Sequence, residues 1–150
     1  NFPRSRLEVE LTETALVRDI DAARRTIAAL RASGLSVALD DFGTGYSSLA
    51  YLSELSFDRI KIDRSFVRSM HERPDSAKVV SAIVGLAKNL GAKITAEGVE
   101  TTSDADALAA LGCDAAQGFL YAKPMPIGDF DAWHKRHLED VRAQPRLRLV

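Results

Sequence analysis

The sequence predicts an α/β fold in which parallel strands alternate with crossover helices. Short apolar segments with strand periodicity alternate five times with segments of helical periodicity. Glycines stand where helical segments end, and no linker or low-complexity tract divides the chain. This alternation is typical of strand–helix–strand units. Two architectures stay open at this point: an open doubly wound sheet, and part of an eight-stranded β/α barrel.

The first part of the chain is predicted to contain two strands and the helix that joins them. Apolar residues alternate with glutamates from Leu7 to Leu11, which is the two-residue period of a strand with one apolar face. Apolar residues at three- and four-residue spacings predict a helix from about Asp19 to Ala32. A short buried strand from Ser36 to Leu39 then runs into the acid pair Asp40 and Asp41.

A glycine-bearing loop and a third strand follow the acid pair. The loop runs from Phe42 to Ser48 and leads into a short helix from about Leu49 to Leu55. The next strand is predicted from Arg59 to Asp63, with Lys61 between two isoleucines. Because a lysine is costly to bury without a partner, Lys61 is a candidate for an ion pair or a site inside the fold.

The second half of the chain repeats the pattern. A long helix is predicted from Ser76 to Leu90, and a strand from Lys93 to Ala96. A helix capped by Ser103 ends at Leu111, and a last short strand is predicted from Ala115 to Phe119. A final helix is predicted from about Ile127 to Val141. The chain therefore contains five predicted strand–helix units.

The composition is that of a globular domain whose net charge is close to zero. The 150 residues are 46% hydrophobic and 27% charged, and 20 Lys and Arg stand against 21 Asp and Glu. A formal charge of −1 argues against partnership with a nucleic-acid polymer or an anionic membrane, so any phosphate-bearing ligand must be held locally. No apolar run approaches the roughly 20 residues of a membrane helix, so we expect no membrane contact in this segment. A single cysteine, Cys113, excludes an internal disulfide framework and suggests a cytoplasmic location.

Polar or ionisable side chains stand at the end of every predicted strand. Taken singly, each could be a solvated edge residue or a turn cap, but the carboxyl ends of parallel strands meet at one rim. Carboxylates that converge raise one another's pKa unless a cation neutralises them, and oxygen ligands suit Mg²⁺ or Mn²⁺. We therefore predict a divalent-metal site at this rim. The strand-end residues are Glu10, Asp40, Asp41, Lys61, Asp63, Glu97 and Gln117.

The glycine loop by itself is weak support for phosphate binding. It lacks the lysine and the spacing of a P-loop, and it is not a dinucleotide fingerprint. Its glycines could instead permit a mobile lid or an interface loop. The glycine loop alone therefore does not distinguish phosphate binding from a lid or an interface.

A phosphoacceptor receiver domain is the first family to compare. Five strand–helix units, the pair Asp40-Asp41, the later Asp63 and the dipeptide Lys123-Pro124 resemble it. In that family the acid pair closes the first strand and another strand precedes the phosphoacceptor. Here the pair closes the second strand and Asp63 ends the very next one, so the order argues against this family.

Five motifs in a fixed order carry a closer resemblance over most of the chain. They are Glu10-Leu11-Thr12-Glu13, Asp40-Asp41-Phe42-Gly43-Thr44-Gly45-Tyr46-Ser47-Ser48-Leu49, Lys61-Ile62-Asp63-Arg64-Ser65-Phe66, Ala96-Glu97-Gly98-Val99-Glu100-Thr101, and Gln117-Gly118-Phe119 with Lys123-Pro124. Together they resemble the EAL domain. The resemblance implies a TIM-like barrel that hydrolyses cyclic di-GMP to linear pGpG with Mg²⁺ or Mn²⁺, two cations per intact site.

The resemblance also implies a role for each matching residue. Glu10 and Asp40 match metal ligands, and Asp40 with Asp41 matches the acids of the second metal position. Lys61 matches a lysine near the attacking water, and Glu97 matches the base or water-orienting carboxylate. These five residues are the predicted metal and catalytic set.

Further matches surround that set. Glu13 matches a glutamate that steadies the loop after Asp41, and Asp63, Glu100 and Gln117 match positions that support the site or bind substrate. The loop itself couples the site to dimerisation in the family, which makes a homodimer the expected assembly. Its residues are Phe42, Gly43, Thr44, Gly45, Tyr46, Ser47 and Ser48.

The resemblance covers only the C-terminal part of the domain. The Glu-Ala-Leu tripeptide and an asparagine ligand of the family have no counterpart in residues 1–150. We therefore expect these residues to form about five of eight βα units of a single EAL domain. The remaining strands and a regulatory or GGDEF-type domain are expected upstream. A membrane anchor could also lie in that upstream part. We expect weak or no activity from the segment alone. A cyclic-di-GMP receptor without catalysis is the alternative function.

Overall fold

Six strands form one parallel sheet whose order follows the chain from β1 to β6. The computed structural model of the protein describes residues 2–43, 49–70, 73–143 and 148–149. The strands are β1 (Glu8–Thr12), β2 (Ser36–Phe42), β3 (Arg59–Ile62), β4 (Lys93–Ala96), β5 (Ala115–Ala116) and β6 (Arg148–Leu149). The helices are α1 (Glu13–Arg18), α2 (Ile20–Ala32), α3 (Leu49–Glu54), α4 (Arg64–Ser69), α5 (Pro74–Asn89), α6 (Thr102–Leu111) and α7 (Ile127–Ala143).

The strand order decides between the two architectures that the sequence left open. Every neighbouring pair of strands is parallel, and each strand lies beside the strand that precedes it in the chain. A doubly wound sheet reverses its order at a switch point, whereas a barrel adds each new strand on the same side. The sheet is therefore a segment of a barrel wall.

The hydrophobic core lies on one face of the sheet, between the strands and the helices. Strand residues at alternate positions are fully buried, among them Val37, Leu39 and Ile60. Helix α5 packs against β3 and β4 with an apolar face that includes Val80 and Val84, both at most 3% exposed, and α2 packs against β2. Because successive side chains point to opposite faces of a strand, the polar residues between these positions lie on the other face, which is the barrel interior.

Capping interactions set where the helices begin. The Asp19 side chain accepts a hydrogen bond from the Ala22 amide at 2.8 Å and so starts α2. Helix α6 begins with a capping box between Thr101 and Asp104. The prediction that Ser103 caps this helix is wrong, because the hydroxyl two residues earlier is the one that reaches the free amide.

The predicted elements differ from the observed ones mainly in short segments. Helices α1 and α4 were missed because each has only six residues and begins within two residues of a strand, whereas α3, of the same length, follows a glycine-bearing loop that marks its start. The predicted strand from Ala115 to Phe119 shortens to β5, and β6 was not predicted. Its two residues pair with the free edge of β5, a position that strands readily take.

None of the described helices combines the length and apolar character that a membrane crossing requires.

Candidate active site

A β-bulge at the end of β2 brings two adjacent acids together. Strand β2 pairs with β3 at Leu39 opposite Ile60 and next at Phe42 opposite Ile62, so β2 carries one extra residue between these pairs. Asp41 takes a left-handed backbone with φ of 53°. Neighbours in a regular strand point to opposite faces, but the bulge lets Asp40 and Asp41 offer oxygens to the same cluster.

Lys61 stands at the centre of the polar residues on the rim. Its Nζ atom lies 2.8 Å from Glu10 Oε1, 3.0 Å from Asp40 Oδ1 and 2.7 Å from Glu97 Oε1. The residue is 5% exposed, so the ammonium has lost most of its water and depends on these carboxylates. One cation faces three anions, which leaves the group negatively charged.

Burial and charge shift the pKa values of these groups. Burial alone would lower the pKa of Lys61, but the neighbouring carboxylates of Glu10, Glu97 and Asp40 outweigh burial and raise that pKa well above its ordinary value. Burial raises the pKa of Glu97 although Lys61 opposes the change. Burial also raises the pKa of Asp41, with further contributions from the charges of Asp40 and Asp63. Lys61 is therefore a permanent cation, and the acids favour a further positive charge.

Three carboxylates on the rim have the arrangement of a metal site. Asp40, Asp41 and Glu97 each offer an oxygen, and these oxygens all lie within 4.8 Å of one another. Asp40 Oδ1 is buried, and no donor in the described part of the chain is aligned for a hydrogen bond with it, although Lys61 Nζ is close. A buried carboxylate oxygen without an aligned donor, beside two further carboxylates, fits a hard divalent cation.

The predicted metal ligands and the observed group overlap in part. Asp40 and Asp41 belong to both, whereas Glu97, predicted as the base, lies with them. Glu10 reaches the group through Lys61, and its side chain is 45% exposed. The roles of these residues therefore stay predictions, while their proximity is a feature of the structure.

Glu13 holds Gly43, the residue that directly follows β2. It is 2% exposed, and its carboxylate accepts a hydrogen bond from the Gly43 amide at 3.1 Å. Gly43 has φ of 99°, and a Cβ atom there would come within 2.8 Å of the Phe66 ring. Only glycine fits this turn without displacing its neighbours. The predicted loop residues 44–48 lie outside the described residues.

Asp63 caps α4 beside the acidic group. Its carboxylate accepts hydrogen bonds from the Ser65 amide at 2.9 Å and from the Ser65 hydroxyl. An aspartate followed two residues later by serine is a pattern that could have indicated the missed helix. The carboxylate also contributes negative charge near Asp41.

A cavity of about 210 Å³ opens beside Glu97. It brings the predicted residues Glu100 and Gln117 to the same wall, both of them exposed. Arg64 and Phe119, which belong to the matching motifs but received no role of their own from the sequence, also line this cavity. Phe119 is 58% exposed, which is unusual for a large aromatic residue and is not visible from its sequence context.

Close backbone packing fixes the segment that carries Glu97. A Cβ atom at Gly118 would lie 2.2 Å from the Val99 carbonyl oxygen. The Val99 amide donates a hydrogen bond to the Gln117 carbonyl at 3.1 Å, and the Gln117 amide donates to the Ala96 carbonyl at 2.8 Å. The positions of Glu97 and Gln117 therefore depend on one another through the backbone.

Comparison with known proteins identifies the family. Residues 1–124 match the family described as the EAL domain. The chain belongs to the EAL family. It is 44% identical over 139 residues to the cyclic di-GMP phosphodiesterase PdeR of Escherichia coli K12, a match that covers 93% of this chain and 21% of PdeR. The predicted family is confirmed, and the chain spans about a fifth of this relative.

Solved EAL structures share the fold. The cyclic-di-GMP complex of the MucR phosphodiesterase of Pseudomonas aeruginosa is 45% identical with a TM-score of 0.82, over 86% of this chain and 52% of that one. A manganese and cyclic-di-GMP complex of BlrP1 from Klebsiella pneumoniae is 36% identical with a TM-score of 0.76, over 82% of this chain and 31% of that one. The prediction of an α/β, TIM-like partial barrel is confirmed.

Proposed function

We propose that this chain is part of a metal-dependent phosphodiesterase that hydrolyses cyclic di-GMP to linear pGpG. The observation that carries the proposal is the convergence of Asp40, Asp41 and Glu97 beside the buried Lys61. The name of PdeR and the cyclic-di-GMP complexes of MucR and BlrP1 support the choice of substrate.

Mg²⁺ or Mn²⁺ is the proposed cofactor, two cations per intact site. Asp40 and Asp41 would hold it, with Glu10 at the edge of the group and Glu97 beside them. A divalent cation bound to such carboxylates lowers the pKa of a coordinated water and neutralises charge on a phosphoryl group. The manganese complex of BlrP1 supports this choice of metal.

The residues of the chain divide the remaining chemistry between them. Lys61, held protonated by its neighbours, stabilises the negative charge that grows on the phosphoryl oxygens. Glu97, whose pKa burial raises, accepts the proton of the attacking water as the new oxygen–phosphorus bond forms. The ester oxygen leaves as the old bond breaks, and a proton from Glu97 or from solvent completes its hydroxyl group. Glu100 and Gln117 offer hydrogen-bonding groups to the substrate in the adjoining cavity.

The test is Asp40→Asn, which removes a charge while keeping the shape of the side chain. We expect metal-dependent hydrolysis in the full EAL domain to fall at least about 100-fold, as loss of a central electrostatic group commonly does. Release of pGpG, measured by chromatography with Mn²⁺ and with Mg²⁺, checks this. Asp129→Asn, at an exposed position in α7, is the matched control and should change nothing. Retained activity with normal metal dependence in Asp40→Asn would exclude the assignment.

The preparations of the full EAL domain also test the predicted ligand and the predicted homodimer. Cyclic-di-GMP binding without hydrolysis by the unmodified domain would favour the receptor alternative. A homodimer formed through the loop after Asp41 is expected to appear in sedimentation experiments.

The bifunctional name of MucR supports a further signalling domain in the same polypeptide, and we propose a cytoplasmic location for the segment.

A further inference from the structure

A second set of polar side chains lies beneath the candidate site, two residues earlier on the same strands. We call Glu10, Asp40, Lys61 and Glu97 the upper layer. The residues that precede them by two positions form the lower layer, and they are Glu8, Ala38, Arg59 and Thr95. Because side chains repeat with a period of two along a strand, both layers face the barrel interior.

The lower layer connects the same strands as the upper layer. Arg59 Nε lies 3.1 Å from the Glu8 carboxylate on β1, and Arg59 Nη1 donates a hydrogen bond to Thr95 Oγ1 on β4 at 2.7 Å. Lys61 connects Glu10 with Glu97 in the corresponding way. Each layer therefore joins the first, third and fourth strands of the sheet through one cation on β3.

A small residue makes the lower contact possible. Strand β2 separates β1 from β3, and its Ala38 pairs with Glu10 on one side and with Arg59 on the other. Ala38 is fully buried. Because its methyl group is short, the Arg59 and Glu8 side chains can meet across β2.

The two layers respond differently to a bound cation. The upper contacts are made by candidate metal ligands, so a metal competes directly with Lys61 for Glu10, Asp40 and Glu97. Among the described residues, the lower contacts involve no member of the candidate metal group. Arg59 is 16% exposed and Glu8 26%, so their ion pair is largely shielded from water. The lower contacts can therefore persist when a metal enters.

We propose that Arg59 is a positioning residue: with Glu8 and Thr95 it fixes the separation of β1, β3 and β4, and thereby the separation of the carboxylates that receive the metal. The inference rests on the proposed function, because it assigns Arg59 a role toward that site. Arg59 itself touches neither the metal group nor the substrate cavity as described.

The experiment measures Mn²⁺ affinity of the full EAL domain by calorimetry, with the unmodified domain as the parent. The temperature is one at which circular dichroism shows each variant folded. We expect Arg59→Met to weaken Mn²⁺ binding about tenfold, the lower end of the loss that follows removal of a group bonded to a metal ligand, because Arg59 acts on the ligands only through the strands. Arg59→Lys should weaken binding less. Arg24→Met and Arg24→Lys are matched controls, because Arg24 pairs with Glu54 on the exposed side of the fold. They should leave Mn²⁺ affinity within about twofold, since exposed pairs contribute little.

A second pair of variants protects the test if Arg59→Met does not fold. Glu8→Gln keeps an oxygen that accepts from Arg59, whereas Glu8→Ala removes it. We expect Glu8→Gln to bind Mn²⁺ nearly as the parent does and Glu8→Ala to bind about tenfold more weakly. A purely structural role would lower the melting temperature of folded variants without changing their Mn²⁺ affinity.

The outcomes separate this inference from the proposed function. If the parent binds Mn²⁺ and Asp40→Asn abolishes binding, but the Arg59 and Glu8 variants bind as the parent does, the positioning role is wrong and the metal site stands. If the parent shows no binding that depends on Asp40, the proposed metal site fails, and this inference fails with it.

Discussion

The upper and lower layers of the barrel interior have nearly the same layout and opposite charge balance. In the lower layer one cation, Arg59, faces one anion, Glu8, and the remaining positions are Ala38 and Thr95. In the upper layer one cation, Lys61, faces three anions. The lower layer is therefore complete without a ligand, whereas the upper layer lacks positive charge.

This difference separates a structural ion pair from a binding site. A neutral buried pair satisfies its own hydrogen bonds and gains little from an added ion. Burying carboxylates with excess negative charge costs free energy through lost hydration and mutual repulsion, and a bound cation reduces this cost. The same strands thus carry stability in one layer and chemical reactivity in the next.

Removal of Lys61 should have the largest effect on stability. Lys61→Met leaves three carboxylates together without a cation, and we expect a loss of about 3 kcal/mol in the free energy of unfolding in EDTA. Mn²⁺ should stabilise this variant more than the parent, because its competitor for the carboxylates is gone. Urea denaturation with EDTA and with Mn²⁺ checks both statements.

Lys78→Met is the control for Lys61→Met. Lys78 forms an ion pair with Asp75 on the surface, where both side chains are at least 78% exposed. This variant should stay within about 0.5 kcal/mol of the parent, with the same response to Mn²⁺. Equal losses in the two lysine variants would remove the contrast between a buried and a surface cation.

The lower layer should show a smaller loss that a metal does not restore. Thr95→Val keeps the shape of a fully buried residue but removes the acceptor of Arg59, at a cost of about 1–2 kcal/mol. Stabilisation by Mn²⁺ should be no greater than in the parent. Thr14→Val, exposed in α1, serves as the control in urea denaturation. A gain with Mn²⁺ larger than the parent's would show that the two layers are not distinct.

The smallest effect concerns pH. Because burial raises the pKa of Glu97 above its ordinary 4.5, the folded protein binds this proton more tightly than the unfolded chain does. In EDTA the contribution of Glu97 to stability therefore falls as pH rises from 4.5 through the raised pKa of the folded protein. Glu97→Gln does not titrate, so its stability relative to the parent should rise over this interval. Denaturation curves at both ends of the interval measure this, and a relative decrease would contradict the sign.

Much of the architecture was predictable because it follows from local patterns. Alternation of apolar and polar residues located the first strand and short apolar segments located the later ones, while Lys61 between two isoleucines indicated a buried cation that needs partners. The missed helices α1 and α4 are short and follow a strand almost directly, so neither periodicity nor a loop marks them. Strand β6 depends on a free sheet edge, which no local pattern records.

The sequence by itself determined the order of β1 to β5 and of helices α2, α3, α5, α6 and α7, and the polar residue at the end of each of these five strands, because these follow from periodicity and turn chemistry. Only the tertiary structure decided which polar residues meet. The bulge turns Asp41 toward Asp40 against the alternation of the strand. The register places Ala38 between β1 and β3 so that Arg59 reaches Glu8. Contacts between strands depend on pairing and register, and residues distant in the chain set both.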